Sequence, residues 1–225
     1  MIRLRQAIPG HGWPGLNTHA FGPFDLDVNA GTAMAVIGPN GSGKSLLLAL
    51  VAGVLRVSSG SVEVVGKVGY APSALVESPA VRCDELLDFI AIEAGLRGRD
   101  RRQAVDRALS MAGTGDRPDG RVDRLPDGKR KRLLIASALL CDPDVLLLDD
   151  PMQSLDPAGR SEVERLVADT ILAGKCVLAA INDASIGSCW TEIAIMRSGQ
   201  IHRTLSMTGP WLESTRPRGE DLLGT

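Results

Sequence analysis

The sequence has no apolar run long enough to cross a bilayer. The longest, Leu46 to Leu55, is interrupted by Gly53, whereas a spanning helix needs roughly 20 apolar residues. Any link to a membrane is therefore expected to go through a partner. There is no excess of positive charge either: the formal net charge is −2 and the pI is near 5.9. That leaves out the global electrostatic footprint of a nucleic-acid binder, and no nucleic acid is expected. Lysine is scarce, 5 against 20 arginines, a bias that reads as GC-rich coding rather than a binding need. The four cysteines, Cys83, Cys141, Cys176 and Cys189, lack metal-ligand spacing, and no secretory signal precedes them. They read as reduced thiols of a cytosolic chain, with Cys141 and Cys176 as small core residues. No internal repeat or low-complexity block is present. What 225 residues allow is one substantial core, with room for a small subdomain.

What the chain does have is Gly38-Pro39-Asn40-Gly41-Ser42-Gly43-Lys44-Ser45, a full match to G-x-x-x-x-G-K-[ST]. Met34 to Ile37 before it reads as a buried strand, and Leu46 to Ala52 after it as a buried helix. Strand, glycine loop and helix in that order make the context of a phosphate-binding loop. A triphosphate calls for backbone N–H groups, a cation and a helix N-terminus aimed at it. Gly38, Gly41 and Gly43 let the backbone curl. Lys44 supplies a point charge to the phosphates, and the Ser45 hydroxyl is a ligand for Mg²⁺. The expected nucleotide-binding residues run from Gly38 through Pro39, Asn40, Gly41, Ser42, Gly43, Lys44 and Ser45 to Leu46. The bland alternative is a glycine turn before a core helix.

Along the chain, Met1 to Arg5 alternates as an edge strand would, and Phe24 to Val28 as a half-buried strand. Ser58-Ser59-Gly60 is expected to break the chain, with strands over Ser61–Val65 and Lys67–Tyr70 joined around Gly66. Leu86, Leu87, Phe89, Ile90 and Ile92 suit one amphipathic helix, and Ala104, Val105, Ala108 and Leu109 another. Arg97, Arg99, Arg101 and Arg102 between them read as a solvated face, with a partner or lipid-head contact as the alternative. Thr114 to Asp127 reads as a loop and Lys129 to Leu140 as a helix. Asp144 to Asp150 is an apolar run ending in two acids, as a central parallel strand would be. A helix over Ala158–Leu172, a strand over Cys176–Ile181 and a hairpin turning at Ser198-Gly199 follow. Strands alternating with helices predict an α/β fold with a mostly parallel sheet covered on both faces. Ser214 to Thr225 reads as a poorly ordered tail.

Nucleotide hydrolysis needs an acid at a strand end beside the loop. Asp149, 105 residues beyond Lys44, is that candidate for the metal, and Asp150 is the candidate general base facing the attacking water. The alternative is a pair of exposed acids in a strand-end turn.

With these motifs in order, the chain resembles a nucleotide-binding domain of the ATP-binding cassette (ABC) family over residues 1 to about 205. The likeness rests on several segments. Beyond the loop they are Val68-Gly69-Tyr70-Ala71-Pro72-Ser73 at the glutamine-loop position and Leu125-Pro126-Asp127-Gly128-Lys129 at the signature. Ser154-Leu155-Asp156-Pro157 resembles the D-loop, and Ile181-Asn182-Asp183 falls at the switch-histidine position. The resemblance implies one cassette over residues 1–213: a P-loop NTPase of ABC type with an antiparallel β subdomain and a helical subdomain inserted over about 74–140. It implies head-to-tail homodimers or heterodimers, with ATP between one P-loop and the partner cassette's Asp127, Gly128, Lys129, Ser154 and Asp156. Trp13 would stack on adenine, or be a plain turn aromatic. Ser45, Asp149 and Ser73 would surround Mg²⁺, and Lys44, Asp150 and Asn182 would serve hydrolysis.

The departures from the family concern hydrolysis more than binding. Asp150 stands for the usual glutamate, one methylene shorter. Asn182 stands for the histidine and cannot become cationic, and Ser73 stands for the glutamine. Pro126 removes a hydroxyl and an N–H from the signature, and Asp127 brings a negative charge, while capping the helix that begins near Gly128. The leading reading is an ATP-binding subunit of an ABC-type transporter, cytoplasmic and peripheral on the membrane's inner face through separate membrane-spanning subunits, with slow hydrolysis. The alternative is a regulatory or assembly subunit that binds ATP without productive hydrolysis. A soluble cassette of DNA repair or translation is the third, disfavoured by the absence of a basic face or coiled-coil insertion.

Overall fold

The computed structural model describes residues 1–10, 21–74, 80–114, 120–182 and 189–207. In chain order its elements are β1 (Ile2–Pro9), β2 (Phe24–Val28), β3 (Ala33–Ile37), α1 (Lys44–Val51), β4 (Val57–Val64), β5 (Val68–Ala71), α2 (Cys83–Glu93) and α3 (Gly98–Met111). A 3₁₀ turn at Val122–Arg124 then leads to α4 (Asp127–Leu139), β6 (Val145–Asp149), α5 (Pro157–Leu172), β7 (Cys176–Ile181), β8 (Glu192–Arg197) and β9 (Gln200–Ser206).

A three-stranded antiparallel sheet has the order β2-β1-β4. β1 is therefore its middle strand, not the edge strand expected from its alternation. Alternation reports one buried face, here Ile2 and Leu4, and carries no information about which edges are paired. Ser58-Ser59-Gly60 does not break the chain but lies inside β4. Gly60 has a φ of +78° beside the irregularity in the β1–β4 register, and a Cβ there would meet the Gln6 carbonyl oxygen at 2.1 Å. Only glycine fits such a bulge. The strands on either side of Gly66 both form but belong to different sheets, β4 to this one and β5 to the next.

The second sheet has the order β5-β6-β7-β3-β8-β9, parallel throughout except where β9 returns antiparallel on β8. Its central strands are buried on both faces, which explains their unbroken apolar character. Met34, Val36, Leu147 and Leu178 pack toward α1 and the antiparallel sheet. Ala35, Leu146, Leu148 and Val177 pack toward α4 and α5.

A third cluster joins α2, α3 and α4. On α3 the expected face, Ala104, Val105, Ala108 and Leu109, is buried. On α2 the inward stripe is Cys83, Leu87 and Ala91, while Phe89 and Ile92 are 62% and 47% exposed. Five apolar residues within seven positions exceed one helical face, and packing against α3 selects the i, i+4 row. Arg101 pairs with Asp88 of α2 at 3.0 Å, strapping the two helices together. Cys176 is buried, and Cys141 only half-buried.

Gly69 of β5 fixes how closely α4 approaches the parallel sheet. A Cβ there would lie 2.0 Å from the Ala138 carbonyl oxygen of α4 and 2.9 Å from Pro143. Backbone cannot yield as a side-chain tip can, so Gly69→Ala is expected to cost about 2–3 kcal/mol or more. Urea unfolding checks it; an unchanged midpoint would contradict this packing.

Candidate functional site

The order β5-β6-β7-β3 sets four neighbouring strand ends in one row. Ser73 follows β5, Asp149 and Asp150 close β6, Asn182 follows β7, and the glycine loop follows β3. The loop is as tight as its composition requires. Gly41 and Gly43 have φ of +79° and +101°, and a Cβ on Gly38 would lie 2.1 Å from the Met196 carbonyl oxygen of β8. α1 begins immediately at Lys44, so its free N–H groups open onto the loop.

Lys44 is nearly buried, and its Nζ donates to the Gly38 carbonyl at 2.8 Å and the Pro39 carbonyl at 3.0 Å. Burial lowers its pKa, opposed by the charges of Asp150 and Asp149. The Ser42 hydroxyl is buried with no hydrogen-bond partner among the described residues, a vacancy suited to an acceptor oxygen brought by a ligand. Phe21, Asn40, Gly41, Lys44, Ser45 and Asn182 are among the residues lining a cleft of about 200 Å³ over the loop.

The acids bind this loop to its neighbours. Ser45 Oγ donates to Asp149 Oδ1 at 3.0 Å. Asp149 is 3% exposed, and burial pushes its carboxyl above the usual range against hydrogen bonding from Ser45, the charge of Lys131 and hydrogen bonding from Ser73. Asp150 adopts a left-handed backbone, φ +47°. Its carboxylate accepts the Asn182 backbone N–H at 3.1 Å and the Asn182 side-chain amide. Burial first, then the adjacent Asp149 charge, raises the Asp150 pKa. Asn182 also lines a second cleft of about 210 Å³, with Asp150, Gln153, Ser154 and Arg160.

A family model described as ABC transporter matches residues 21–153. The chain belongs to the ABC transporter family. It is 31% identical to a protein of Methanothermobacter marburgensis named as an ABC transporter ATP-binding protein, over 89% of this chain and 76% of that one. It is 33% identical to the cytochrome c biogenesis ATP-binding export protein CcmA of Xanthomonas oryzae pv. oryzae, over 73% of this chain and 80% of the relative. Among solved structures, the ATP-binding cassette MJ0796, a dimer bound to ADP and Pi, superposes with a TM-score of 0.81 at 20% identity, covering 93% of this chain and all of that one. At that identity the likeness speaks for the fold: an ABC-type P-loop NTPase. ATP is the nucleotide of such a cassette.

The cassette brings together most of the residues singled out in its sequence. Gly38 to Leu46, Ser73, Asp149, Asp150 and Asn182 converge at the strand ends. Trp13 and Asp183 lie outside the described residues. Asp127, Gly128, Lys129, Ser154 and Asp156 do not line the loop's cleft. Gly128 instead sits against Ser154, where a Cβ would lie 2.9 Å from the Ser154 carbonyl oxygen. Asp156 caps α5, accepting the Gly159 N–H at 2.8 Å. Asp127, expected to cap α4, does not: Pro126 occupies the N-cap position, and Asp127 is the first helical residue, paired with Arg130 at 3.3 Å. The helix begins one residue earlier than expected, which puts Asp127 inside its first turn, where a negative charge suits the helix N-terminus.

Two residues were not legible as part of this site. Phe21 puts an aromatic ring at the loop's cleft, and Lys131 is buried beneath the acids. Phe21 precedes the loop by 17 residues, and its position depends on the chain's path before β2; Lys131 reads as one more cation in a basic helical segment. As for the metal, Ser45 and Asp149 offer two oxygen donors beside the loop. No group of three or more His, Cys, Asp or Glu suited to a metal occurs among the described residues. That pattern fits Mg²⁺, which takes few protein ligands and fills its shell with phosphate oxygens and water.

Ser45→Ala removes the bond between the loop helix and β6. It is expected to cost about 2 kcal/mol of stability, because a buried carboxylate loses its hydroxyl donor. Urea unfolding reads this effect. If Ser45 also serves as a Mg²⁺ ligand, ATP affinity falls in the variant with Mg²⁺ present and stays near native with chelator, which ATP titration under the two conditions checks.

Proposed function

We propose that the chain is the ATP-binding subunit of an ABC-type transporter, peripheral on the inner face of the cell membrane through separate membrane-spanning subunits. Among the described residues no helix is long and apolar enough to cross a membrane, and the relatives at 31% and 33% identity are named for ATP binding or export. Mg·ATP sits on the loop. Lys44, the loop amides and the α1 N-terminus hold the phosphates, with Lys44 Nζ steadied beside them by the Gly38 and Pro39 carbonyls. Ser45 and Asp149 would hold Mg²⁺, with Ser73 alongside, and the ion would supply positive charge against the phosphates.

Two cassettes, from a second copy or a homologue, close head to tail. Each presents Asp127, Gly128, Lys129, Ser154 and Asp156 to the other's nucleotide. Asp127 would repel a γ-phosphate, but Arg130 shares its charge and Lys129 stands exposed beside it. Asp150 orients the attacking water and Asn182 reads the γ-phosphate. Slow hydrolysis follows from the pair they form. Both oxygens of the Asp150 carboxylate accept from Asn182, which stabilises the ionised form and makes it a weaker base toward a water proton.

The observation that carries this reading is the Ser45–Asp149 hydrogen bond, which joins the phosphate loop to the acidic strand end as nucleotide and metal require. The purified chain is expected to bind ATP with Mg²⁺ and to turn over well below the enzyme median of about 10 s⁻¹. Asp150→Glu combined with Asn182→His is expected to raise turnover at least about tenfold, a small part of the 10²–10⁴ available from a positioned base. Absence of ATP binding, or native turnover near 10 s⁻¹, would overturn the reading.

A further inference from the structure

Lys131 lies one turn into α4, yet it is only 5% exposed. Its neighbours Leu133, Leu134 and Ile135 are apolar and buried. A buried ammonium is costly by several kcal/mol unless opposite charge and hydrogen bonds offset it. For filling space at this depth, leucine or methionine would do better.

The ammonium is offset by a specific set of partners. Nζ donates to the Ser73 carbonyl at 2.7 Å and to the Asp149 carbonyl at 3.2 Å. The carboxylates of Asp149 and Asp150 supply the favourable charge, against the burial that lowers the lysine's pKa. Both bonds go to backbone, so the Asp149 carboxylate stays available to Ser45.

The second bond is the informative one. The Asp149 carbonyl shares a peptide plane with the Asp150 N–H, and that N–H donates to the Ala180 carbonyl of β7 at 2.9 Å. The plane is thus held at both ends, by Lys131 on one side and β7 on the other. Directly after it, Asp150 takes its left-handed φ of +47°, a conformation uncommon for residues other than glycine, although aspartate tolerates it better than most. That turn is what aims the Asp150 carboxylate at Asn182.

We propose that Lys131 is a positioning residue: by clamping the Asp149–Asp150 peptide and Ser73 from α4, it sets the direction of the Asp150 side chain and ties it to the helix that begins at Asp127. It takes no part in the chemistry and touches no substrate. The catalytic consequence rests on the proposed role of Asp150, but the clamp itself does not. A shift of α4 along the sheet would draw the ammonium off this peptide and release the turn, so movement of that helix reaches the acid through one side chain.

The test uses the full chain with Lys131→Met, close in length but without a donor, and Lys131→Arg, which keeps charge and donors. Amide exchange over residues 145–151 and 68–74 is expected to accelerate at least about tenfold in Lys131→Met, while β1 and β2 stay at native rates. In single-turnover hydrolysis Lys131→Met loses about tenfold to a hundredfold in rate, the scale of a misplaced catalytic group, with ATP affinity within about threefold of native. Lys131→Arg recovers most of both. If Lys131→Met fails to fold, Lys131→Leu, likewise without a donor, takes its place with the same expectations. Native exchange and native rate in the neutral variant would overturn the proposal. So would damage in Lys131→Arg equal to that in Lys131→Met, because packing rather than the cation would then be responsible. A native chain that neither binds nor cleaves ATP would instead strike at the transporter reading, with the exchange measurement still reporting on the clamp.

Discussion

A parallel sheet covered on both faces leaves few places for charge, and the carboxyl ends of its strands are the main one. In this cassette the central strands are apolar throughout until that edge, where Asp149 closes β6 at 3% exposure. Everything chemically active gathers within reach of it because strand order makes it so. β5, β6, β7 and β3 are neighbours in the sheet although the chain visits them at widely separated times. The loop and the acid therefore meet across 104 residues of sequence through one hydrogen bond.

The same constraint governs the site's charge balance. Two acids are drawn out of water, and burial raises both carboxyls. Lys44 on one side and Lys131 on the other counter them, and each lysine is itself depressed by burial. Neither ammonium forms a direct salt bridge with the acids. Both donate to backbone carbonyls. Charge compensation is thus delivered through space, while carboxylate oxygens remain for hydroxyl and amide donors. Such an arrangement can exchange one source of positive charge for another without first breaking a carboxylate–ammonium pair, a step that would cost several kcal/mol in a buried site.

How much of this was legible in the sequence depended on whether the signal was local. Gly38 to Ser45 was readable because loop conformation, helix N-terminus and cation are all written within eight residues. The apolar runs of β3, β6 and β7 were readable because double-sided burial leaves no polar position. β1 was misjudged as an edge because pairing partners come from elsewhere in the chain. Ser58-Ser59-Gly60 looked like a break because Gly60 answers to Gln6, more than fifty residues away. Lys131 was invisible for the same reason: its meaning comes from Ser73 and Asp149, and a lysine in a run of basic residues looks like solvent exposure. Asp127 differs more narrowly, since the helix begins one residue earlier than its sequence suggests and the aspartate falls inside the first turn.

The departures at Asp150 and Asn182 look like two independent losses when read along the chain. In space they are one unit. Asn182 offers two donors, backbone and side chain, and Asp150 accepts both with its two oxygens. The shorter acid reaches this partner because its backbone turns into the left-handed region, bringing the carboxylate back toward β7. A glutamate on the same turn would carry its carboxylate a methylene farther, past the Asn182 N–H that Asp150 accepts. A histidine opposite the unchanged aspartate would put a bulkier ring into the cleft over the loop that Asn182 lines. Groups in contact do not contribute additively, so either change alone breaks a matched pair without building the other. The effect of both together cannot be read from the two single variants. The pair also supplies a physical reason for the proposed separation of binding from hydrolysis. The loop holds its shape through glycines and β8, whereas Asp150, the proposed base, is bonded to Asn182. A γ-phosphate, rich in acceptor oxygens and facing the cleft that Asn182 lines, is the group with the chemistry to compete for those donors.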